Sequence, residues 1–201
     1  MRLKVQFYPQ RTKFTCDPAC LMMALKYFNP KIKLSTDLEF QIWRESYGIG
    51  ILGCMPQGLA YSALIRGLTV VLICRKDSVS KISRKIATGE NFDITVKTSQ
   101  ELLRKSKKLG MKIIDKKPLL SDVRDAIDKG GIPLIMINMK RIHGIDSPHW
   151  VTITGYDNGL FFINDPYSKK PGKIEEYQLA TCMDDLGKLS GVEKRVLILS
   201  K

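Results

Sequence analysis

Gln10-Arg11-Thr12-Lys13-Phe14-Thr15-Cys16-Asp17-Pro18-Ala19-Cys20-Leu21 passes from a polar loop into an apolar helix, and a cysteine stands at the junction. Beyond it Leu21, Met22, Leu25 and Phe28 recur at helical spacing, and Asn29-Pro30 stops the run. Pro18 is compatible with this start, because the first-turn amides of a helix have no intrahelical partner to lose. A cysteine here lies beside unpaired amides and the positive end of the helix dipole, which favours the thiolate. Buried cysteines are nevertheless common and usually inert, so Cys16 by itself assigns no chemistry.

Working outward, Thr36-Asp37-Leu38-Glu39 reads as a capping box that opens a second helix carrying Ile42 and Trp43. A third helix is predicted from Pro56 to Arg66, stopped by Gly67, and an apolar, β-branched strand from Thr69 to Cys74. The lysine-rich stretch 77–117 reads either as a lid or as an embellishment, with a helix from Ser99 to Leu109. Another helix spans Ser121 to Lys129 and ends at Gly130-Gly131. Ile132 to Met139 is a continuous apolar run, as expected of a central strand. His149 to Thr154 and Leu160 to Asn164 flank Tyr156-Asp157-Asn158-Gly159, a hairpin turn, and Val196 to Leu199 adds a last strand. Helices come first and a mostly antiparallel sheet follows, which is the α+β class.

The bulk numbers suit one domain over residues 1–201, with 44% hydrophobic and 26% charged residues. No apolar run approaches membrane-spanning length, and the N-terminus lacks the apolar core of a signal peptide, so the expected location is cytoplasmic. Five cysteines, an odd number, argue for reduced thiols over a disulfide framework. The net charge of +13 favours acidic partners in general: nucleic acid, an anionic surface or an acidic peptide. Its densest cluster, Arg104-Lys105-Ser106-Lys107-Lys108, reads as a solvated helix face, and no aromatic-interleaved basic motif of the RNA-binding kind is present.

Cysteine catalysis needs a base within hydrogen-bond reach, and only His143 and His149 are available. His143 falls in a polar loop, whereas His149 opens a strand, a rigid mount for a catalytic group. Any short turn near Asp157 to Gly159 sets His149 against some residue between Asp165 and Ser168, so Asp165 is placed to orient the imidazole. Gln10, six residues before Cys16, together with the Cys16 amide, suits an oxyanion that develops during acyl transfer.

The segment from Gln10 to Leu21 resembles the catalytic motif of the C39 cysteine peptidases, a bacteriocin-leader-processing group within the papain-like fold: Gln, five residues, Cys, usually Gly, a spacer, Ala and often a second Cys. His149-Trp150-Val151-Thr152-Ile153-Thr154-Gly155-Tyr156-Asp157 and Phe162-Ile163-Asn164-Asp165-Pro166 are similar to its histidine and aspartate strands, in that order. Residues 38–45, 53–60 and 130–135 extend the likeness toward a stand-alone branch without a transporter domain, so that it covers most of residues 7 to 167. The resemblance implies a papain-like fold with Gln10 as oxyanion donor, Cys16 as nucleophile, His149 as base and Asp165 as orienter. It implies no cofactor, and a peptide or isopeptide substrate, including one built up by a peptide ligase. One position departs from the pattern: the family carries Gly after the nucleophile, where this chain has Asp17. A carboxylate there opposes thiolate formation and crowds the place where substrate lies.

The expected activity is cysteine-type hydrolysis of a peptide or isopeptide bond; passing the acyl group to an amine at the same site would make an acyl transferase. A C39-like protein that binds peptides without cutting them is the alternative Asp17 motivates. Two weaker readings are a zinc site among Cys16, Cys20, Cys54, His143 and His149, for which the Cys-x3-Cys spacing is loose, and nucleic-acid binding, which rests on net charge alone.

Overall fold

The computed structural model describes residues 1–48, 51–78, 90–189 and 192–201. Helix α1 (Cys16–Phe28) starts and stops where the spacing places it, and Asn29 closes it with its N–H on Leu25 O at 2.8 Å. Its first ten residues are all buried, so it is a central helix enclosed on every side, not an amphipathic one. Helix α2 (Thr36–Ser46) begins at Thr36, but its cap is Ser35, whose Oγ accepts from the Leu38 N–H at 3.3 Å. Glu39 does not serve a capping box. It is buried and turned inward, where its carboxylate takes the Tyr8 hydroxyl and the Arg11 N–H, both at 2.9 Å.

A short hairpin, β1 (Tyr47–Gly48) with β2 (Ile51–Cys54), leads into α3 (Pro56–Leu64) and then β3 (Thr69–Cys74). Gly58 lies against α2 so closely that any Cβ there would collide with the backbone of Ser46. Helix α4 (Glu90–Lys108) begins nine residues before the predicted Ser99 start. Its inner face is polar: Thr95, Ser99 and Ser106 are buried, Ser99 bonds the Gln57 amide, and the Ser106 hydroxyl donates to Gln57 O at 2.8 Å. A face built from hydroxyls carries no hydrophobic period, which is why the first half of this helix is silent in the sequence. Strand β4 (Lys112–Asp115) then pairs in parallel with β3. Residues 90–115 of the lysine-rich stretch are therefore one helix and one strand of the fold, and residues 79–89 lie outside the described residues.

Helix α5 (Leu120–Asp128) is followed by β5 (Ile132–Asn138), buried along its whole length, then the short α6 (Lys140–His143). Strands β6 (Pro148–Asp157) and β7 (Leu160–Asn164) form the expected hairpin, with Asn158 at φ 48° and Gly159 at φ 76°, the paired left-handed conformation of a tight two-residue turn. Strand β8 (Gly172–Glu175), helix α7 (Glu176–Asp184) and β9 (Val196–Ser200) complete the chain.

Among the described residues the main sheet has the order β4-β3-β9-β5-β6-β7-β8, antiparallel throughout except for β3 with β4. The class is α+β as expected. However, β3 and β4 precede the last helices, so sheet and helices are less segregated along the chain than "helices first" implies. The fully apolar β5 is the middle strand, and α1 packs on β6, where the Cys20 thiol donates to Trp150 O at 3.3 Å. No helix among the described residues is long and apolar enough to cross a membrane.

Candidate active site

Cys16 is the first residue of α1 and is 8% exposed. Its thiol donates to Asp17 Oδ1 at 2.7 Å. The other oxygen, Oδ2, accepts the Cys54 N–H from the β1–β2 hairpin at 2.5 Å, so Asp17 ties the helix start to that hairpin. Asp17 is 2% exposed, its carboxylate held between the Cys16 thiol and the Cys54 N–H.

Burial pushes the Cys16 thiol well up, and the charge and hydrogen bond of Asp17 push the same way; the backbone of Trp150 opposes them. Burial also raises the Asp17 carboxyl, against the hydrogen bonds it accepts from Cys16 and Cys54. Desolvation and a neighbouring carboxylate thus oppose the thiolate that the helix dipole favours by about 1 kcal/mol. Asp17 does oppose ionisation as its position suggests, but burial is the larger cause.

His149, at the start of β6 and 2% exposed, places Nε2 2.7 Å from Asp165 Oδ1, just past the end of β7. The hairpin register that sets Thr152 opposite Asn164 carries the two together. The second oxygen of Asp165 faces Nε2 of His143 at 2.6 Å. His143 is the last residue of α6, a single turn stopped by Gly144, and is not the free loop residue the sequence suggests. A third donor, the Tyr167 N–H, reaches Asp165 Oδ1 at 2.9 Å. Burial alone would raise the Asp165 carboxyl; the two histidines and the Tyr167 amide outweigh it and hold the group down at about 2. An ionised carboxylate only accepts, so each imidazole presents Nε2–H to it and keeps Nδ1 as its basic nitrogen. The Tyr167 ring closes the cluster, its centre 4.9 Å from that of His143 and 6.2 Å from that of His149.

Gln10 donates one Nε2 hydrogen to Thr12 O at 2.6 Å and its backbone N–H to Pro166 O at 2.9 Å, while its Oε1 is buried without a partner. The structure thus brings His149 and Asp165 into direct contact. It packs the helix headed by Cys16 on the strand that carries His149, with the Cys20 thiol on Trp150 O, and places Gln10 in the loop bonded to the residue after Asp165. Among the described residues the thiol's own hydrogen bond goes to Asp17, not to an imidazole. Sequence reasoning missed His143 and Tyr167 as partners of Asp165 and the Cys54 amide as a partner of Asp17. Only His143 left a signal, as one of just two histidines. The residues of the zinc reading do not converge: both imidazole Nε2 atoms go to Asp165, and the Cys16 and Cys20 thiols go to Asp17 and Trp150 O.

A buried cysteine at the head of a central helix, packed against the strand that carries a histidine–aspartate pair, is the arrangement of the papain-like cysteine-peptidase fold. The chain belongs to the Peptidase_C39 like family, whose model matches residues 5–197. Among solved structures it is similar to a putative C39-like peptidase from Bacillus anthracis, with a TM-score of 0.51 and 13% identity over 100% of this chain and 98% of that one. It is also similar to a double glycine motif protease from an AMS/PCAT transporter, solved in complex with the leader peptide, with a TM-score of 0.49 and 16% identity over 100% and 94% of the two chains. No curated protein matches the chain.

Proposed function

We propose that the chain is a thiol-dependent peptidase or isopeptidase with Cys16 as nucleophile, His149 as base, Asp165 as orienter and Gln10 as oxyanion donor. The observation that carries this reading is the buried His149–Asp165 pair at 2.7 Å, mounted on the strand against which the helix headed by Cys16 packs. Nδ1 of His149 takes the thiol proton as the sulfur attacks the carbonyl carbon. The oxyanion is met by the Cys16 amide and the second Nε2 hydrogen of Gln10. His149 then returns the proton to the leaving amine, and water, deprotonated by the same imidazole, releases the acyl group as a carboxylic acid. Five unpaired thiols suit a cytoplasmic setting.

The test is the alkylation rate of Cys16 against pH, resolved by peptide mapping, in the wild type and in His149→Ala. A Cys16 rate at neutral pH that falls by about tenfold or more in His149→Ala supports His149 as the base of the thiol. A rate indifferent to His149 at every pH overturns it. The Cys16–Asp17 hydrogen bond favours a second reading, a peptide-binding protein whose thiol stays protonated. In that case peptides bind the wild type and Cys16→Ala equally and are never cleaved.

A further inference from the structure

Two loops meet at Gln10. Residues 9–13 lead to Cys16 and residues 166–169 follow Asp165, and the Gln10 N–H on Pro166 O joins them. Between them lies a cleft of about 460 Å³ whose lining includes Arg11, Lys13 and Lys169 and no acidic residue. All three cations are exposed. The Arg11 backbone is pinned by Glu39 Oε1, and its guanidinium lies over the Tyr8 ring, 5.6 Å from its centre, so this cation is held in place at the cleft. Asp165, the nearest carboxylate along the chain, has both oxygens occupied by histidines.

Some cations elsewhere meet carboxylates: Arg66 with Glu45, Lys116 with Asp122, Arg124 with Glu176, Arg141 with Asp185 and Lys194 with Asp184. At the cleft Arg11, Lys13 and Lys169 line one volume with no carboxylate in its lining, and Glu39, outside the lining, offsets part of the Arg11 charge. Such an arrangement is repulsive by itself and focuses a positive potential into the cleft. A bound anion removes the repulsion.

We propose that this cleft binds a side-chain or terminal carboxylate of an acidic peptide, adjacent to the bond presented to Cys16. The inference rests on the peptidase reading for what happens to that bond, but the recognition step is separable from it. A carboxylate on a peptide suits the cleft better than a nucleic acid strand, because the cations line a single pocket between two short loops and Tyr167 is the only aromatic residue in its lining.

The test is fluorescence anisotropy of a labelled hexaglutamate peptide and a labelled hexaglutamine peptide with full-length Cys16→Ala protein, so that no turnover intervenes. The expected result is about tenfold or more tighter binding of hexaglutamate at low salt, weakening as salt rises. The difference disappears in Lys13→Glu/Lys169→Glu, shrinks in the gentler Lys13→Gln/Lys169→Gln, and survives in Lys105→Glu/Lys108→Glu, which alters the remote α4 face. Equal binding of the two peptides, or equal loss in the α4 control, overturns the proposal. So does a single-stranded oligonucleotide that binds more tightly than hexaglutamate through the same lysines. The pH profile of Cys16 alkylation separates the two readings. A reactive Cys16 without hexaglutamate preference sinks only the cleft, and preference with an inert Cys16 sinks only the hydrolysis.

Discussion

Cys16 donates its thiol proton to the carboxylate of its own neighbour, Asp17, at 2.7 Å, and that carboxylate is buried and anchored in turn by the Cys54 amide. The nucleophile of the proposed reaction is therefore restrained by the residue that replaces the glycine of the resembling family.

Asp17→Asn removes the charge and keeps an acceptor for the Cys54 N–H. Burial and Asp17 both raise the Cys16 thiol, so this change lowers its pKa and speeds alkylation at neutral pH by about tenfold. The check is the iodoacetamide rate at pH 7 with peptide mapping. An unchanged rate means that burial alone restrains the sulfur. Asp17→Gly also loses the anchor of the β1–β2 hairpin and costs about 1–3 kcal/mol in urea unfolding.

Asp165 links pH to stability. Its folded-state pKa of about 2 lies below the ordinary value of 3.8, so the contribution is fully present above about pH 4 and is lost as pH falls through 2. That contribution is about 2 kcal/mol. Urea midpoints of the wild type and Asp165→Asn, compared at pH 6, 4 and 2, should converge on the acid side as the wild type loses this contribution. A constant gap would mean that the ionised form of Asp165 is not what the two histidines favour.

His143 shares Asp165 with His149 and is expected to act as a positioning residue. His143→Ala leaves Asp165 Oδ2 without its donor, raises the Asp165 pKa and costs about 1–2 kcal/mol above pH 4. His143→Gln, which keeps an N–H donor, recovers part of that loss. The imidazole titration of His149 followed by NMR reads the same coupling, and a titration unmoved by either variant would show that His143 does not act through Asp165.

Gly58 sits where α3 crosses α2, and a methyl group there meets the Ser46 backbone, which cannot yield as a flexible side chain would. Gly58→Ala should destabilise by about 1–3 kcal/mol despite its gain in helix propensity. Equilibrium urea unfolding measures it, and a neutral result would mean that the two helices can separate without loss.

Most of the fold was legible because it rests on short-range pattern. The apolar run of β5 and the Asn158-Gly159 turn are local signals, and so is the Cys16–Phe28 period; each element formed where its residues indicate. Elements whose buried faces are polar were not legible. Helix α4 hides its first half behind Thr95 and Ser99, and Glu39, read as a capping residue, is a buried acceptor for Tyr8 and Arg11. A polar residue announces burial only through its partner, and the partner is distant in sequence.

The same division runs through the candidate site. The sequence singled out Cys16, His149 and Asp165 because reactive residue types are scarce and because helix starts and hairpins place them by local rules, and Gln10 through its resemblance to the family motif. Tertiary packing alone decided that Asp17 turns inward to take the thiol proton, that His143 joins His149 on one carboxylate, and that three cations share a cleft without an acid. Those outcomes depend on which remote backbone amide, imidazole or loop arrives within about 3 Å, and hydrogen bonds and charges at that range respond to distance that no sequence spacing encodes.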